Sequence, residues 1–313
     1  MTALPILIDC DPGQDDAIAL LLALASPEAL EVRAVTVVAG NSPLVQTACN
    51  ACLIVALAGR PDVPVHAGCD RPLRGRLITA KAVVGPSGID PYPVDAPSVP
   101  LAPGHAVDAI VAYCRAAGPA GLTLVPTGPL TNIAAAIGQA PDILPNIAQI
   151  VLMGGAQRVG GNVTPTAEFN IRVDPEAAKI VFACGRPIVA APLDVTYRAI
   201  TTPERLAAIR ALGTPVAGAA ADMLGWFERH DIERYGLPGG PLHDPCTVAW
   251  LLRPDLFRGR MLNVVVDTRP GPTRGMTIVD LWGSSRRPPN TLWLQDIDAD
   301  GFFALLTARL GRL

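Results

Sequence analysis

Leu7-Ile8-Asp9-Cys10-Asp11-Pro12-Gly13-Gln14-Asp15-Asp16-Ala17-Ile18-Ala19-Leu20-Leu21-Leu22-Ala23-Leu24 sets four carboxylates between a strand and a helix. The run from Leu4 to Ile8 is short, apolar and closed by Pro12-Gly13, as expected of a strand covered on both faces. Ala17 to Leu24 is almost wholly apolar, as expected of a buried helix. Asp9 and Asp11 are two apart, so an extended backbone sends them to one face and Cys10 to the other. Asp15 and Asp16 open the helix, where unpaired N–H groups and the positive end of the dipole favour anions.

The dipole contributes only about 0.3–1 kcal/mol per charge, less than like charges lose when held a few ångströms apart in an apolar surround. A bound cation resolves the conflict. Oxygen-only ligands select a hard ion, and a cluster that backbone carbonyls can supplement leans towards calcium over magnesium.

The pattern Asp-x-Asp-Pro-Gly-x-Asp-Asp-Ala after an apolar strand resembles the opening signature of the nucleoside hydrolases of the inosine-uridine-preferring type. A second family opening on a strand that ends in Asp-x-Asp, the haloacid-dehalogenase-like phosphatases, is the competing reading. That family usually continues with Thr or Val where this chain has Pro12-Gly13, and it needs a later Lys that has no evident counterpart here.

Further along, Val32 to Val38 reads as a strand ending at Ala39-Gly40-Asn41, followed by a helix from Leu44 to Leu57. The alternation continues through a helix Val107 to Ala117, a strand Leu122 to Val125, a strand Ile147 to Met153 and a strand Pro187 to Pro192. Such an order predicts an α/β fold, an open, mostly parallel Rossmann-like sheet with helices on both faces. Ligands of such sheets sit at the carboxyl ends of the strands, where Asp11 and Asn41 fall. Pro203 to Leu212 and Val216 to Arg229 read as helices, and His230 to Gly236 either as a mobile flap offering His230, Arg234 or Tyr235 to a ligand or, the favoured account of these side chains, as a solvated helix end. Asn263 to Val266, Met276 to Leu281 and Thr291 to Ile297 read as a small antiparallel extension before a final helix, Asp300 to Leu310. The resemblance spans the chain, so residues 1–313 are expected to form one domain.

The segment from Gly160 to Ala178 matches the same family. Its Asn162, Glu168 and Asn170 provide hydrogen-bonding groups for sugar hydroxyls, whereas Asp174-Pro175-Glu176 reads as a helix start without a catalytic part. The resemblance implies calcium-dependent hydrolysis of the N-glycosidic bond of ribonucleosides through an oxocarbenium-like transition state, with Asp11 as general base towards an activated water. It assigns the ion to Asp11, Asp16, the Thr127 carbonyl and Asp244, and the substrate to Asp15, Asn41, Met153, Asn162, Glu168 and Asn170. Gly85-Pro86-Ser87-Gly88-Ile89-Asp90 resembles the family's His-Gly-x-x-Gly loop over the base, but Val84 stands in place of the His. Protonation of the departing base then falls to His243, a flap residue or a water. The His243-Asp244 pair is no serine-hydrolase triad, because neighbours in a chain do not face each other and no Gly-x-Ser-x-Gly elbow is present.

A net charge of −3 and the lack of any basic run argue against a nucleic-acid partner. No stretch of about twenty apolar residues or secretory leader is evident, so no membrane contact is expected and the cytoplasm is the expected compartment. The seven cysteines suit reduced core thiols, and Cys49-Asn50-Ala51-Cys52 lies inside a helical run rather than at a redox-active helix start. A homodimer or homotetramer is the expected assembly. A nucleoside- or ribose-binding protein without turnover is the non-enzymatic alternative.

Overall fold

The computed structural model describes residues 2–94, 99–236 and 238–313, with the side chains of 228–231 and 233–235 outside the description. The chain opens with β1 (Leu4–Cys10), α1 (Gln14–Leu24), β2 (Leu30–Val37), α2 (Leu44–Leu57), β3 (Val65–Ala67) and α3 (Lys81–Val84). Next come α4 (Ala106–Ala117), β4 (Leu122–Pro126), α5 (Thr131–Gln139), β5 (Ile147–Met153), α6 (Phe169–Val173), α7 (Pro175–Phe182), β6 (Ile188–Ala191) and α8 (Leu193–Thr196). The last part holds β7 (Ile200–Thr201), α9 (Pro203–Arg210), α10 (Pro215–Tyr235), β8 (Gly240–Pro241), α11 (Pro245–Leu252), β9 (Phe257–Val266), β10 (Thr277–Asp280), β11 (Thr291–Ile297) and α12 (Ala299–Leu310).

Nine strands form one sheet in the order β10-β9-β11-β6-β5-β4-β1-β2-β3. From β1 the chain winds outward through β2 and β3, then returns to β4 and winds the other way through β5 and β6. The switch point therefore lies between β1 and β4, which pair in parallel from Ile6↔Thr123 to Asp9↔Pro126. A crevice forms there at the carboxyl ends of both strands. Within this sheet, among the described residues, β9 alone runs against its neighbours, β10 and β11.

The core is two-sided, as a sheet with helices on both faces requires. Ile6, Ile8 and Cys10 of β1 join one apolar cluster with α1, α2 and α11, while Leu7 joins the other with α4, α5 and α7. All of α1 is buried, its Ala and Leu side chains packed all round and Gln14, Asp15 and Asp16 at its head. This α/β architecture is the one the sequence predicts.

Two expectations are corrected. Of the two accounts of His230 to Gly236, the helix end holds and the flap does not: the backbone continues α10 as far as Tyr235, where Gly236 closes the helix at φ 64°. The side chains of His230, Arg234 and Tyr235 lie outside the described residues. Strand β11 is not confined to an antiparallel extension, because it also pairs in parallel with β6 from Thr291↔Ile188 to Trp293↔Ala190.

Candidate functional site

Asp11 follows β1 at the switch point, and α1 starts three residues later, so the carboxylates of the opening stretch collect at the sheet's carboxyl edge. Asn41 donates from its backbone N–H to Asp11 Oδ2 at 2.6 Å, while Asp11 Oδ1 is buried without a partner among the described residues. Two glycines close on this carboxylate. A Cβ at Gly40 would stand 2.1 Å from Asp11 Oδ2, and one at Gly128 would stand 2.4 Å from Oδ1. Asp16 Oδ2 accepts the Gly13 N–H at 3.0 Å and the Asn41 side-chain amide at 3.2 Å, and its Oδ1 accepts the Thr127 hydroxyl at 2.7 Å.

The third segment enters through α11, which packs on α1. The short β7–β8 pair fixes its approach, with Leu242 N–H donating to the Ala199 carbonyl at 2.9 Å. Asp244 directly precedes α11 but makes no cap bond with its side chain. Its carboxylate instead joins those of Asp15 and Asp16, each offering an oxygen within 4.8 Å of the others. Asp15, expected at the sugar, thus stands in the tightest acidic trio, with Asp11 beneath.

Burial raises the pKa of Asp15 to about 7 and pushes Asp11, Asp16 and Asp244 upward as well, with neighbouring carboxylates adding to the rise for Asp11, Asp15 and Asp244. At an effective dielectric constant of about 20, two such charges at this separation repel by roughly 3–4 kcal/mol. Protons or a cation must therefore occupy the cluster. The donor set is all oxygen, includes the orphaned Asp11 Oδ1 and lies beside the Thr127 carbonyl, so these residues fit a hard divalent cation.

Asp9 takes no part in that trio. Its Oδ1 accepts the Thr36 hydroxyl at 2.6 Å and the Asn132 amide at 2.8 Å, and burial raises its pKa to about 7. Asp174 caps α7 through Ala177 N–H at 3.0 Å, as expected of it, and Glu176 pairs with Arg274.

Above the carboxylates lies a cavity of about 270 Å³. It is lined by Asp15, Asn41, Thr127, Met153 and Asp244 together with Asn162, Glu168 and Asn170, while Asp11 and Asp16 do not reach it and are buried at 1% and 0% exposure. Glu168 heads α6, its Oε1 accepting Asn170 N–H at 2.7 Å and its Oε2 accepting Gly155 N–H at 2.9 Å. Asn170 donates from Nδ2 to the Thr127 carbonyl at 2.6 Å, and Asn162 Oδ1 accepts Phe169 N–H at 3.0 Å. His243 reaches the cavity with its Nδ1 held by the Thr196 hydroxyl at 2.7 Å, between the ring edges of Tyr197 and Phe227. Burial lowers its pKa to about 4, so the imidazole is neutral near neutral pH. Val84 lines a mostly aliphatic wall of the cavity with Ile78, Thr79, Ala82 and Val83.

Sequence reasoning missed Thr196, Thr36 and Asn132 as partners of site groups, because a lone Thr or Asn carries no signal of what it will meet. Cys49 and Cys52 carry free thiols on α2, and burial raises the Cys52 pKa to about 11, which leaves it unreactive.

Carboxylates gathered at the switch point of an open α/β sheet, under a cavity edged with amide and carboxylate groups, define an enzyme that acts on a polar small molecule. The chain belongs to the inosine-uridine preferring nucleoside hydrolase family, whose model matches residues 6–304, and it is accordingly an N-ribosyl hydrolase. It is 47% identical over 309 residues to the pyrimidine-specific ribonucleoside hydrolase RihA of Salmonella agona, covering 98% of each chain. A protein of Schizosaccharomyces pombe, called C1683.06c and uncharacterized, is 47% identical over 308 residues, covering 98% of this chain and 99% of its own. The purine-preferring ribonucleoside hydrolase of Gardnerella vaginalis superposes with a TM-score of 0.91 at 33% identity, covering 98% of each chain. Membership sets the phosphatase reading aside.

Proposed function

We propose that this protein cleaves the N-glycosidic bond of ribonucleosides with a calcium ion in the acidic cluster, giving free ribose and a nucleobase. The observation that carries this is the convergence of Asp11, Asp15, Asp16 and Asp244, from distant parts of the chain, beneath a cavity edged by Asn41, Asn162, Glu168 and Asn170. Asp11, Asp16, Asp244 and the Thr127 carbonyl would hold the cation. Bound there, it would supply the positive charge that orients a water and lowers its pKa.

The chain's own groups do the rest. Asp11, oriented by the Asn41 N–H on its Oδ2, is the base that takes a proton from the attacking water. Asp15, Asn41, Glu168 and Asn170 fix the sugar hydroxyls, and Met153 packs against the ring. The carboxylates stabilise positive charge developing at C1′. His243, engaged by Thr196 at Nδ1, offers Nε2 to the departing base.

Kinship with the pyrimidine-specific relatives puts uridine and cytidine first among substrates. The free thiols suit a reducing compartment, and we assign the protein to the cytoplasm as a homodimer or homotetramer. The test is a panel of ribonucleosides assayed for ribose release with calcium and with a chelator. Release that the chelator abolishes and calcium restores supports the reading, whereas binding without release supports a receptor that has lost turnover.

A further inference from the structure

The aliphatic wall of the cavity is joined to the carboxylate-bearing turn by two buried amide side chains. Gln14, next to Asp15 and fully buried, donates from Nε2 to the Val84 carbonyl at 2.8 Å and to the Asp90 carbonyl at 3.2 Å. Its Oε1 is buried with no partner among the described residues, so its donors alone hold the side chain. Asn50 of α2, also fully buried, donates from Nδ2 to the Pro12 carbonyl at 3.0 Å and to the Ser87 carbonyl at 2.8 Å. Gln46 fixes that amide by donating to its Oδ1 at 2.9 Å. At the other end of the wall, Ala80 N–H donates to the Asn41 carbonyl at 3.1 Å, and Asn41 is itself bonded to Asp11 and Asp16.

Carbonyls of a surface segment are ordinarily satisfied by water. Ordering and burying Gln and Asn side chains opposes folding unless their hydrogen bonds form, so each of these amides is committed to one geometry. The bonds span two separate stretches, the turn 12–14 and the segment 84–90. They therefore tie the acidic turn to the segment that carries the wall. At Val84, which lines the cavity and is itself buried, the backbone carbonyl takes the bond.

We infer that Gln14 and Asn50 are positioning residues that lock segment 78–90 at a set spacing from the acidic turn, so that the departing base is recognised by packing against a rigid aliphatic wall. The inference rests on the ribonucleoside reading for the identity of the wall's occupant.

The test uses the full chain in calcium buffer, with Gln14→Met, which keeps the bulk and removes the donors, and Asn50→Ala as a second variant should the first not fold. Amide hydrogen exchange is measured across the protein, together with KM and kcat for uridine and inhibition by free ribose. The expected result is exchange in 78–90 faster by at least about tenfold, and KM higher by a similar factor, from two lost hydrogen bonds. Elsewhere exchange stays as in the parent, and kcat and ribose inhibition stay within about twofold because the sugar half is untouched. Unchanged exchange in 78–90, or KM, kcat and ribose inhibition shifting together, overturns the inference. If the parent releases no ribose from any nucleoside, the functional reading fails, and the exchange arm still decides whether the two amides lock the wall.

Discussion

At the residue scale the site is governed by how closely backbone approaches a single carboxylate. Gly40 and Gly128 stand where any Cβ would collide with the oxygens of Asp11. Gly128→Ala must therefore displace Asp11 or the Thr127 carbonyl beside it, and an error of about 1 Å in such a group costs roughly a hundredfold in rate. The kcat/KM for uridine should fall by that order; parent-like activity would show that the spacing is not required. His243 gives a second residue-level expectation. Burial keeps its imidazole neutral near neutral pH, so its help to the base is a hydrogen bond from Nε2–H, the tautomer in which the Thr196 hydroxyl donates to Nδ1. His243→Ala should lower turnover of uridine by about 10²–10⁴, yet barely affect a ribofuranoside whose leaving group departs unaided. Equal losses on both would remove His243 as the acid. Thr196→Val should reproduce part of the loss and Thr196→Ser should restore it.

At the element scale, the loop between β5 and α6 carries Asn162 and Glu168 but is held at its base from elsewhere. Asp194 of α8 accepts Gln157 N–H at 2.8 Å and Arg158 N–H at 2.7 Å, and Thr277 of β10 accepts Ala156 N–H at 3.0 Å. Asp194→Ala should loosen this loop, raising KM for uridine by about tenfold for two lost charge-assisted bonds while calcium affinity, measured by calorimetry, stays unchanged. A parallel loss of calcium affinity would show that the loop also shapes the metal site. The elements themselves were largely legible. Ile147 to Met153 is a strand as predicted, because a parallel strand covered on both faces reads as a continuous apolar run. The end of α10 was legible only as one of two readings, since the charged run after Phe227 has no apolar face to separate a solvated helix end from a flap, and Gly236 marks where it stops. Nor does a strand's periodicity state its partner's direction, which is why β11 was read as purely antiparallel. The opening stretch showed Asp11, Asp15 and Asp16 as a group but counted Asp9 with them, whereas Asp9 is held apart by Thr36 and Asn132, which lie 27 and 123 residues away and which nothing local announces.

For the whole molecule, the buried acids make stability depend on pH and on cation together. Asp9 and Asp15 are raised from the ordinary 3.8 to about 7, so between these values the folded chain holds protons that the unfolded chain has released. Folded-state stability therefore falls as pH rises through that window. His243, lowered from 6.5 to about 4, acts in the opposite sense, adding stability as pH rises from 4 to 6.5, but it is one group against several. In chelator the melting temperature should decline from pH 5 to pH 7.5. Calcium replaces the protons, and at about a hundred times its Kd it should raise the melting temperature by roughly 5–10 °C, more at pH 7.5 than at pH 5. A melting temperature indifferent to calcium at both pH values would mean that the cluster is held by protons alone. The most direct measurement is the anomalous difference map of a crystal soaked in calcium chloride. The account predicts one peak bonded at about 2.3–2.6 Å by Asp11, Asp16, Asp244 and the Thr127 carbonyl. A peak elsewhere, or these groups standing apart with no shared ion, would contradict it.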